Sequence, residues 1–338
     1  MTNILFYPAK NPRLIAGVAA LPNVVVSSAS SLDELREKLP AAEVLVTSNR
    51  SYEADAAQII LDVGRRLRWL QFTTSGIDKA IANGLPNGIP VTNAAGTHAH
   101  RVAEHAMLLL LAVARRQNDC AEARERQLWE RDSIAPHVMS LAKRTLLIIG
   151  VGAVGQEMAR KAKAFDMRVI GMSRMLEPLA NFDEIRPRSE LIKTLAEADA
   201  VALTLNYGED THHMIDAGVF AAMKPTAVLV NVARGLLIDE AAMIDALKAG
   251  KIAGVGLDVT VEEPLSAGSP LWTMPNVVMT PHIAGAGGDS TEAMVDILCD
   301  NYARFMAGKP LAKWACGPTS APPAEMAQRA ITSERRTP

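Results

Sequence analysis

Three side chains in this sequence have the types and order needed for hydride chemistry on a carbonyl group: Arg234, Glu263 and His282. Arg234 stands in NVARG (Asn231–Gly235), Glu263 in DVTVEEP (Asp258–Pro264) and His282 in TPHIAG (Thr280–Gly285). A guanidinium holds a carboxylate through two parallel hydrogen bonds. An imidazolium releases a proton near neutral pH, and a carboxylate on its other ring nitrogen orients the ring and favours its charged form. These are the parts needed to reduce a 2-keto acid beside a bound hydride donor. Each also has a plainer reading: Arg234 as a salt bridge flanking a helix, Glu263 as a loop acid, His282 as a cap before the last helix. Each follows a short apolar or β-branched run, and in open α/β sheets ligands bind beyond the carboxyl ends of strands. Their joint occurrence after a glycine loop favours chemistry over the plainer readings.

That loop is GVGAVG, in which Gly150, Gly152 and Gly155 fit G-x-G-x-x-G between a strand-like TLLII and a helix-like QEMARKAKAF. The first glycine permits a tight turn, the second lets backbone approach a pyrophosphate, and the third lets helix pack on strand, with the helix N-terminus facing the phosphates. The cofactor site is therefore assigned to Gly150, Gly152, Ala153, Val154 and Gly155. To these are added the later strand ends at Leu205, Val232, Ala233, Arg234, Asp258 and His282. An NAD site usually places an acid after the next strand, against the ribose hydroxyls. Here that strand is followed by Met172, Ser173 and Arg174, and no acid comes before Glu177. A hydroxyl and a guanidinium suit a 2′-phosphate, so NADP(H) is favoured. NAD(H) is the alternative, with Arg174 covering the adenine.

The elements that must position these residues alternate from end to end. Strand-like runs at Ile4–Tyr7, Val24–Val26, Val44–Thr47, Leu67–Phe72 and Val91–Asn93 precede a long amphipathic segment from His100 to about Arg116. Further runs follow at Thr145–Gly150, Arg168–Gly171, Ala200–Leu205, Ala227–Val232, Ile252–Leu257 and Val277–Thr280, separated by helical patterns, with a last helix over about Thr291–Ala307. Such alternation predicts an α/β protein with two doubly wound parallel-sheet domains. The 338 residues, 49% hydrophobic and 21% charged, are those of a globular protein of two domains. A net charge of −2 gives no bulk attraction to nucleic acid or an anionic membrane. The longest apolar run, Ala106–Ala114, is too short to span a bilayer. The N-terminus lacks the features of a signal peptide. Cys120, Cys299 and Cys316 form neither a metal spacing nor a disulfide framework, so a cytoplasmic protein without a metal is expected.

Long stretches resemble the D-isomer-specific 2-hydroxyacid dehydrogenase family. They are WLQFTTSGID (Trp69–Asp78), VTNAAGTHAHRVAEHAMLLLLAVAR (Val91–Arg115), the glycine loop, Met223–Val259, EEPL and TPHIAG, in the family's order. Arg234, Glu263 and His282 fall on its catalytic positions. The resemblance implies a flavodoxin-like substrate domain from residues 1–98 plus 285–310, with a Rossmann-type cofactor domain, 99–284, inserted in it. Residues 311–338 would be an extension lying over the surface or disordered. It implies a cleft between the domains that closes on substrate, and a homodimer joined through cofactor domains. Backbone amides of Thr74, Ser75 and Gly76 would clasp the substrate carboxylate with Arg234, His282 would protonate the keto oxygen, and Asp258 would hydrogen-bond the nicotinamide carboxamide. The family's usual glycine before the first cofactor strand is replaced at Lys143 or Arg144, where a different turn is expected. Glu263 stands where the formate-dehydrogenase branch has glutamine, and the stretch after Lys309 is too short for the regulatory domain of phosphoglycerate dehydrogenases. Trp69–Gln71 and Ser173–Arg174 look most like glyoxylate/hydroxypyruvate reductases. The alternative is the family's corepressor branch, a nucleotide-sensing binding protein of the same fold.

Overall fold

The structure, a computed structural model, describes residues 1–287 and 291–316. The chain forms two compact units: Met1–Thr97 with the returning chain from Asp289, and His98–Gly288.

In the first unit, β1 (Thr2–Phe6), β2 (Val24–Ser28), β3 (Val44–Thr47), β4 (Trp69–Phe72) and β5 (Val91–Thr92) are mutually parallel, in the order β2-β1-β3-β4-β5. This is the flavodoxin-like order. Every residue of β3 and β4 is buried, as a parallel sheet covered by helices on both faces requires. Two of the intervening helices, Pro12–Ala19 and Leu32–Lys38, start at side-chain caps: Asn11 accepts from the Leu14 amide and Ser31 from the Glu34 amide. The C-terminal helix Thr291–Met306 returns to this unit and buries Met294, Leu298 and Tyr302 in a core with Ile4, Phe6, Val46 and Trp69.

The sequence alone places the end of this domain at 310. The structure instead runs a short strand, Trp314–Cys316, antiparallel along β5. Two forces place it there. β5 would otherwise present an unpaired edge, and the fully buried Asn301 grips Ala312 from both sides. Its Oδ1 accepts from the Ala312 amide at 2.6 Å, and its Nδ2 donates to the Ala312 carbonyl at 3.1 Å. Asn301 also reaches Gln71 Oε1 at 3.3 Å, which takes a 2.7 Å bond from Thr92. The expected extension beyond residue 316 lies outside the described residues.

In the second unit, seven strands are parallel: β6 (Thr145–Ile149), β7 (Arg168–Met172), β8 (Glu184–Arg186), β9 (Ala200–Leu203), β10 (Val228–Asn231), β11 (Gly254–Leu257) and β12 (Val277–Met279). Their order is β8-β7-β6-β9-β10-β11-β12, the Rossmann arrangement with its reversal between β6 and β9. TLLII explains why β6 lies at the centre. Leu146 and Ile148 face one core, which also takes Ala106, Leu109 and Val113 of helix Ala99–Ala114. Leu147 and Ile149 face the other, with Leu203, Leu229 and Phe220. Strand β8, whose sequence is Glu-Ile-Arg, was not anticipated, because three half-buried residues on a sheet edge carry no apolar alternation. Lys143 takes φ +63°, the left-handed conformation that favours glycine. Among the described residues no helix is long and apolar enough to cross a membrane.

Replacing Asn301 by Ala removes both Ala312 bonds and strips buried Gln71 of a donor. It should destabilise the protein by roughly 2–3 kcal/mol in urea unfolding. A loss below about 0.5 kcal/mol, the usual scale for surface changes, would show that this clip does not hold the C-terminal strand.

Candidate active site

The glycine loop lies at the carboxyl end of β6. Gly150 has φ +105°, and a Cβ there would come within 2.7 Å of the Leu205 backbone. A Cβ at Gly155 would stand 2.1 Å from the Gly150 carbonyl oxygen. These two glycines are demanded by the fold. Gly152 is not: a Cβ there would meet no protein atom within 4 Å. It opens helix Ala153–Lys163 with no side-chain cap, and the N–H groups of Ala153 and Val154 meet no acceptor among the described residues. The loop thus fits a pyrophosphate, whose charge suits a helix N-terminus.

His282 and Glu263 are arranged around Asp258, which follows β11 and is 2% exposed. Its Oδ1 accepts from the Ile283 amide at 2.9 Å and from Thr280 Oγ1 at 2.6 Å. Its Oδ2 accepts from the Ala284 amide at 2.8 Å, and its backbone carbonyl accepts from the His282 amide at 2.8 Å. Three successive N–H groups of the turn after β12 are therefore held by one residue. They keep His282 at φ +54°, a conformation costing a non-glycine residue about 1–3 kcal/mol. Two amide bonds to a carboxylate, at about 1.5–3 kcal/mol each, outweigh that cost. His105, from helix Ala99–Ala114, backs the arrangement with Nε2 2.7 Å from Thr280 Oγ1 and 3.4 Å from Asp258 Oδ1.

So held, His282 places Nδ1 2.6 Å from Glu263 Oε2. Glu263 Oε1 accepts from the Thr260 amide at 3.3 Å. Burial pushes the Glu263 carboxyl upward. The bond from His282, the His282 charge, the Thr260 N–H and the Arg234 charge outweigh it and hold the group below the usual glutamate value.

Arg234 follows β10, whose last residue is the fully buried Asn231. The Asn231 side chain folds the turn: Oδ1 accepts from the Ala233 amide at 3.0 Å and Nδ2 donates to the Arg234 carbonyl at 2.8 Å. Val232 and Ala233 are buried beside it. Arg234 itself is half-buried, with Nη1 2.7 Å from the Ala233 carbonyl. Gly235 then lets this turn touch the loop after β11, since a Cβ would stand 2.1 Å from the Thr260 carbonyl carbon and oxygen. Gly235, Thr280 and His105 are positioning residues that sequence reasoning passed over. Gly235 was visible as the last letter of NVARG, whereas nothing in the spacing linked His105 to Asp258.

Ser173 and Arg174 follow β7. Ser173 Oγ accepts from the Met175 amide at 3.1 Å, and Arg174 Nη2 lies 2.6 Å from Asp210 Oδ2. An acid thus does stand near Arg174, supplied by the loop after β9. In the first unit, Thr74–Gly76 follow β4. Thr74 Oγ1 donates to the Gly76 carbonyl at 2.9 Å and accepts from the Asn49 amide at 3.1 Å. Ser75 Oγ donates to the Ala94 carbonyl at 3.0 Å. The amides of Thr74, Ser75 and Gly76 donate to no acceptor among the described residues. Among the described residues no cluster of His, Cys, Asp and Glu is arranged to hold a metal.

Residues 107–284 match the family described as D-isomer specific 2-hydroxyacid dehydrogenase, NAD binding domain. A glyoxylate reductase from Thermococcus gammatolerans is 37% identical over 284 residues, covering 81% of this chain and 83% of that protein. A D-isomer specific 2-hydroxyacid dehydrogenase family protein from Aeromonas salmonicida superposes with a TM-score of 0.83 at 31% identity, over 93% of this chain and 99% of that one. An NADPH-dependent glyoxylate/hydroxypyruvate reductase from Sinorhizobium meliloti, in complex with NADP and sulfate, gives 0.80 at 26% identity, over 93% and 98%. With its two parallel-sheet units and its strand-end site, this chain belongs to the D-isomer specific 2-hydroxyacid dehydrogenases, oxidoreductases of 2-keto and 2-hydroxy acids that use a nicotinamide cofactor.

Proposed function

We propose that this protein reduces a small 2-keto acid of the glyoxylate or hydroxypyruvate type to its D-2-hydroxy acid, with NADPH preferred to NADH. The observation that carries this reading is the 2.6 Å bond between His282 Nδ1 and Glu263 Oε2, formed beyond the parallel strands and within the field of Arg234. With Nδ1 committed to Glu263, Nε2 is the nitrogen left to deliver a proton to the keto oxygen. When bound, the reduced nicotinamide supplies a hydride to the carbonyl carbon. Arg234 anchors the substrate carboxylate and draws on the keto oxygen, and the amides of Thr74–Gly76 are proposed as further carboxylate donors. Gly150–Gly155 and the turns at Leu205 and Val232–Ala233 hold the cofactor, and Asp258 has one remaining acceptor site for the carboxamide. The NADPH preference rests on Ser173 and Arg174 and accords with the NADP complex of the Sinorhizobium meliloti reductase. The glyoxylate assignment accords with the Thermococcus gammatolerans relative. A cytoplasmic homodimer joined through the second unit, where Leu108, Leu128 and Trp129 are exposed, completes the reading.

The direct test follows loss of NADPH absorbance with glyoxylate, hydroxypyruvate and bulkier 2-keto acids. Turnover of the small acids is expected, and no oxidation with any of them defeats the proposal. His282→Ala should lower kcat on the order of a hundredfold or more while cofactor binding persists, because only the transition state requires the proton. Equal turnover in parent and variant removes His282 from the mechanism.

Glu263 offers a pH test. Its pKa in the folded protein lies below the ordinary 4.5. Its contribution to stability is therefore complete above that value and is lost as pH falls through the lower folded one. The stability difference between parent and Glu263→Gln should hold level from about pH 6 to pH 5 and shrink below the ordinary carboxylate range. A difference unchanged at pH 3, where an ordinary carboxylate is protonated, would mean that the Glu263 charge is not its source.

For the cofactor, Arg174→Ala should raise KM for NADPH several-fold and leave KM for NADH nearly unchanged. A parent enzyme that prefers NADH overturns this part of the reading and leaves the keto-acid chemistry standing.

A further inference from the structure

The parallel register of β7 and β8 sets Met172 opposite Arg186, and the Ser173 amide donates to the Arg186 carbonyl at 3.0 Å. Two residues beyond each of these paired strand ends stands an arginine: Arg174 after β7 and Arg188 after β8. Both reach the same side chain. Arg174 Nη2 is 2.6 Å from Asp210 Oδ2, and Arg188 Nη1 is 3.2 Å from that oxygen and 2.8 Å from the Asp210 carbonyl oxygen. Asp210 comes from the loop after β9, on the far side of β6. This loop is fixed by its own turn, in which the Gly208 amide donates to Thr211 Oγ1 at 2.8 Å and the Thr211 amide to the Gly208 carbonyl at 2.9 Å. Two guanidinium groups and one carboxylate thus converge over the strand ends flanking the glycine loop.

The charge count of this cluster is unbalanced. Two cations share one anion, leaving one positive charge at the position where a dinucleotide's adenosine ribose is read. A phosphate monoester carries close to two negative charges at neutral pH and would balance both arginines. The resident pairs are weak: the side chains of Arg174 and Asp210 are 70% and 56% exposed, and exposed ion pairs contribute little because water competes for each partner.

We propose that Arg188 is a second ligand for the 2′-phosphate of NADP(H), and that Asp210 is a resident carboxylate which the phosphate displaces from both arginines. This rests on the NADPH reading above and adds to it a residue from another strand and a built-in competitor. NAD(H), with a neutral 2′-hydroxyl, has no charge with which to displace Asp210 and leaves the three-residue cluster closed.

The test is calorimetric binding of NADP⁺, NAD⁺ and adenosine 2′-monophosphate to the full-length protein, without turnover. Arg188→Ala should weaken NADP⁺ and adenosine 2′-monophosphate about tenfold, the effect of one charge-assisted bond, and leave NAD⁺ within about twofold of its parent value. Asp210→Asn should act in the opposite direction, tightening both phosphate-bearing ligands severalfold without changing NAD⁺. That opposite sign separates displacement from damage to the fold, since a misfolded loop weakens all three ligands. If Arg188→Ala leaves NADP⁺ unchanged while Arg174→Ala weakens it, this inference fails and the NADPH reading survives. If neither variant weakens NADP⁺ relative to NAD⁺, both fail. Weaker NADP⁺ binding in Asp210→Asn shows that Asp210 supports the arginines and contradicts displacement.

Discussion

The carboxylate of Asp258 is the constraint on which the candidate active site depends. It is buried, and it gathers two amides and a hydroxyl from the turn after β12, while its own carbonyl takes the His282 amide. This holds His282 in a left-handed conformation and directs Nδ1 to Glu263, which in the proposed reaction leaves Nε2 for the substrate. Without these bonds a histidine on a turn of ordinary geometry would have no defined partner.

Arg234, the other side chain of the proposed mechanism, is located by close backbone approach. Gly235 lets the turn carrying Arg234 press on Thr260, and the Thr260 amide in turn binds Glu263. Three strand ends of one parallel sheet are thereby coupled: β10 through Arg234 and Gly235, β11 through Asp258 and Thr260, and β12 through His282. The sheet supplies a common edge, the glycine removes the distance between two loops, and the buried aspartate fixes the third. The same logic recurs at the other end of the sheet, where register sets Arg174 and Arg188 at equal offsets past β7 and β8.

Much of this was legible in the sequence because it is periodic or local. TLLII followed by GVGAVG fixes a buried strand, a tight turn and an open helix start, and the structure shows all three. Apolar runs between helical patterns gave two parallel sheets with nearly the observed bounds. What could not be read lies in contacts between segments far apart in the chain. His105 and Thr280 are 175 residues apart, and Arg174 and Asp210 are 36 apart; neither pair has a local signature. Strand β8 and the strand Trp314–Cys316 escaped for a different reason. Short edge strands bury too little to alternate, and their placement is decided by the neighbour they pair with.

In the proposed reaction Asp258 makes His282 a competent proton donor. The measurement that reaches this role most directly is the turnover of Asp258→Asn in 2-keto acid reduction at saturating NADPH, in protein that still unfolds cooperatively. Asparagine keeps the shape but replaces one acceptor oxygen with an amide that opposes the Ile283 or Ala284 N–H. Turnover is expected to fall on the order of a hundredfold, the scale of losing a positioned proton donor. Turnover within about twofold of the parent, a difference of less than 0.5 kcal/mol in barrier, would contradict the account.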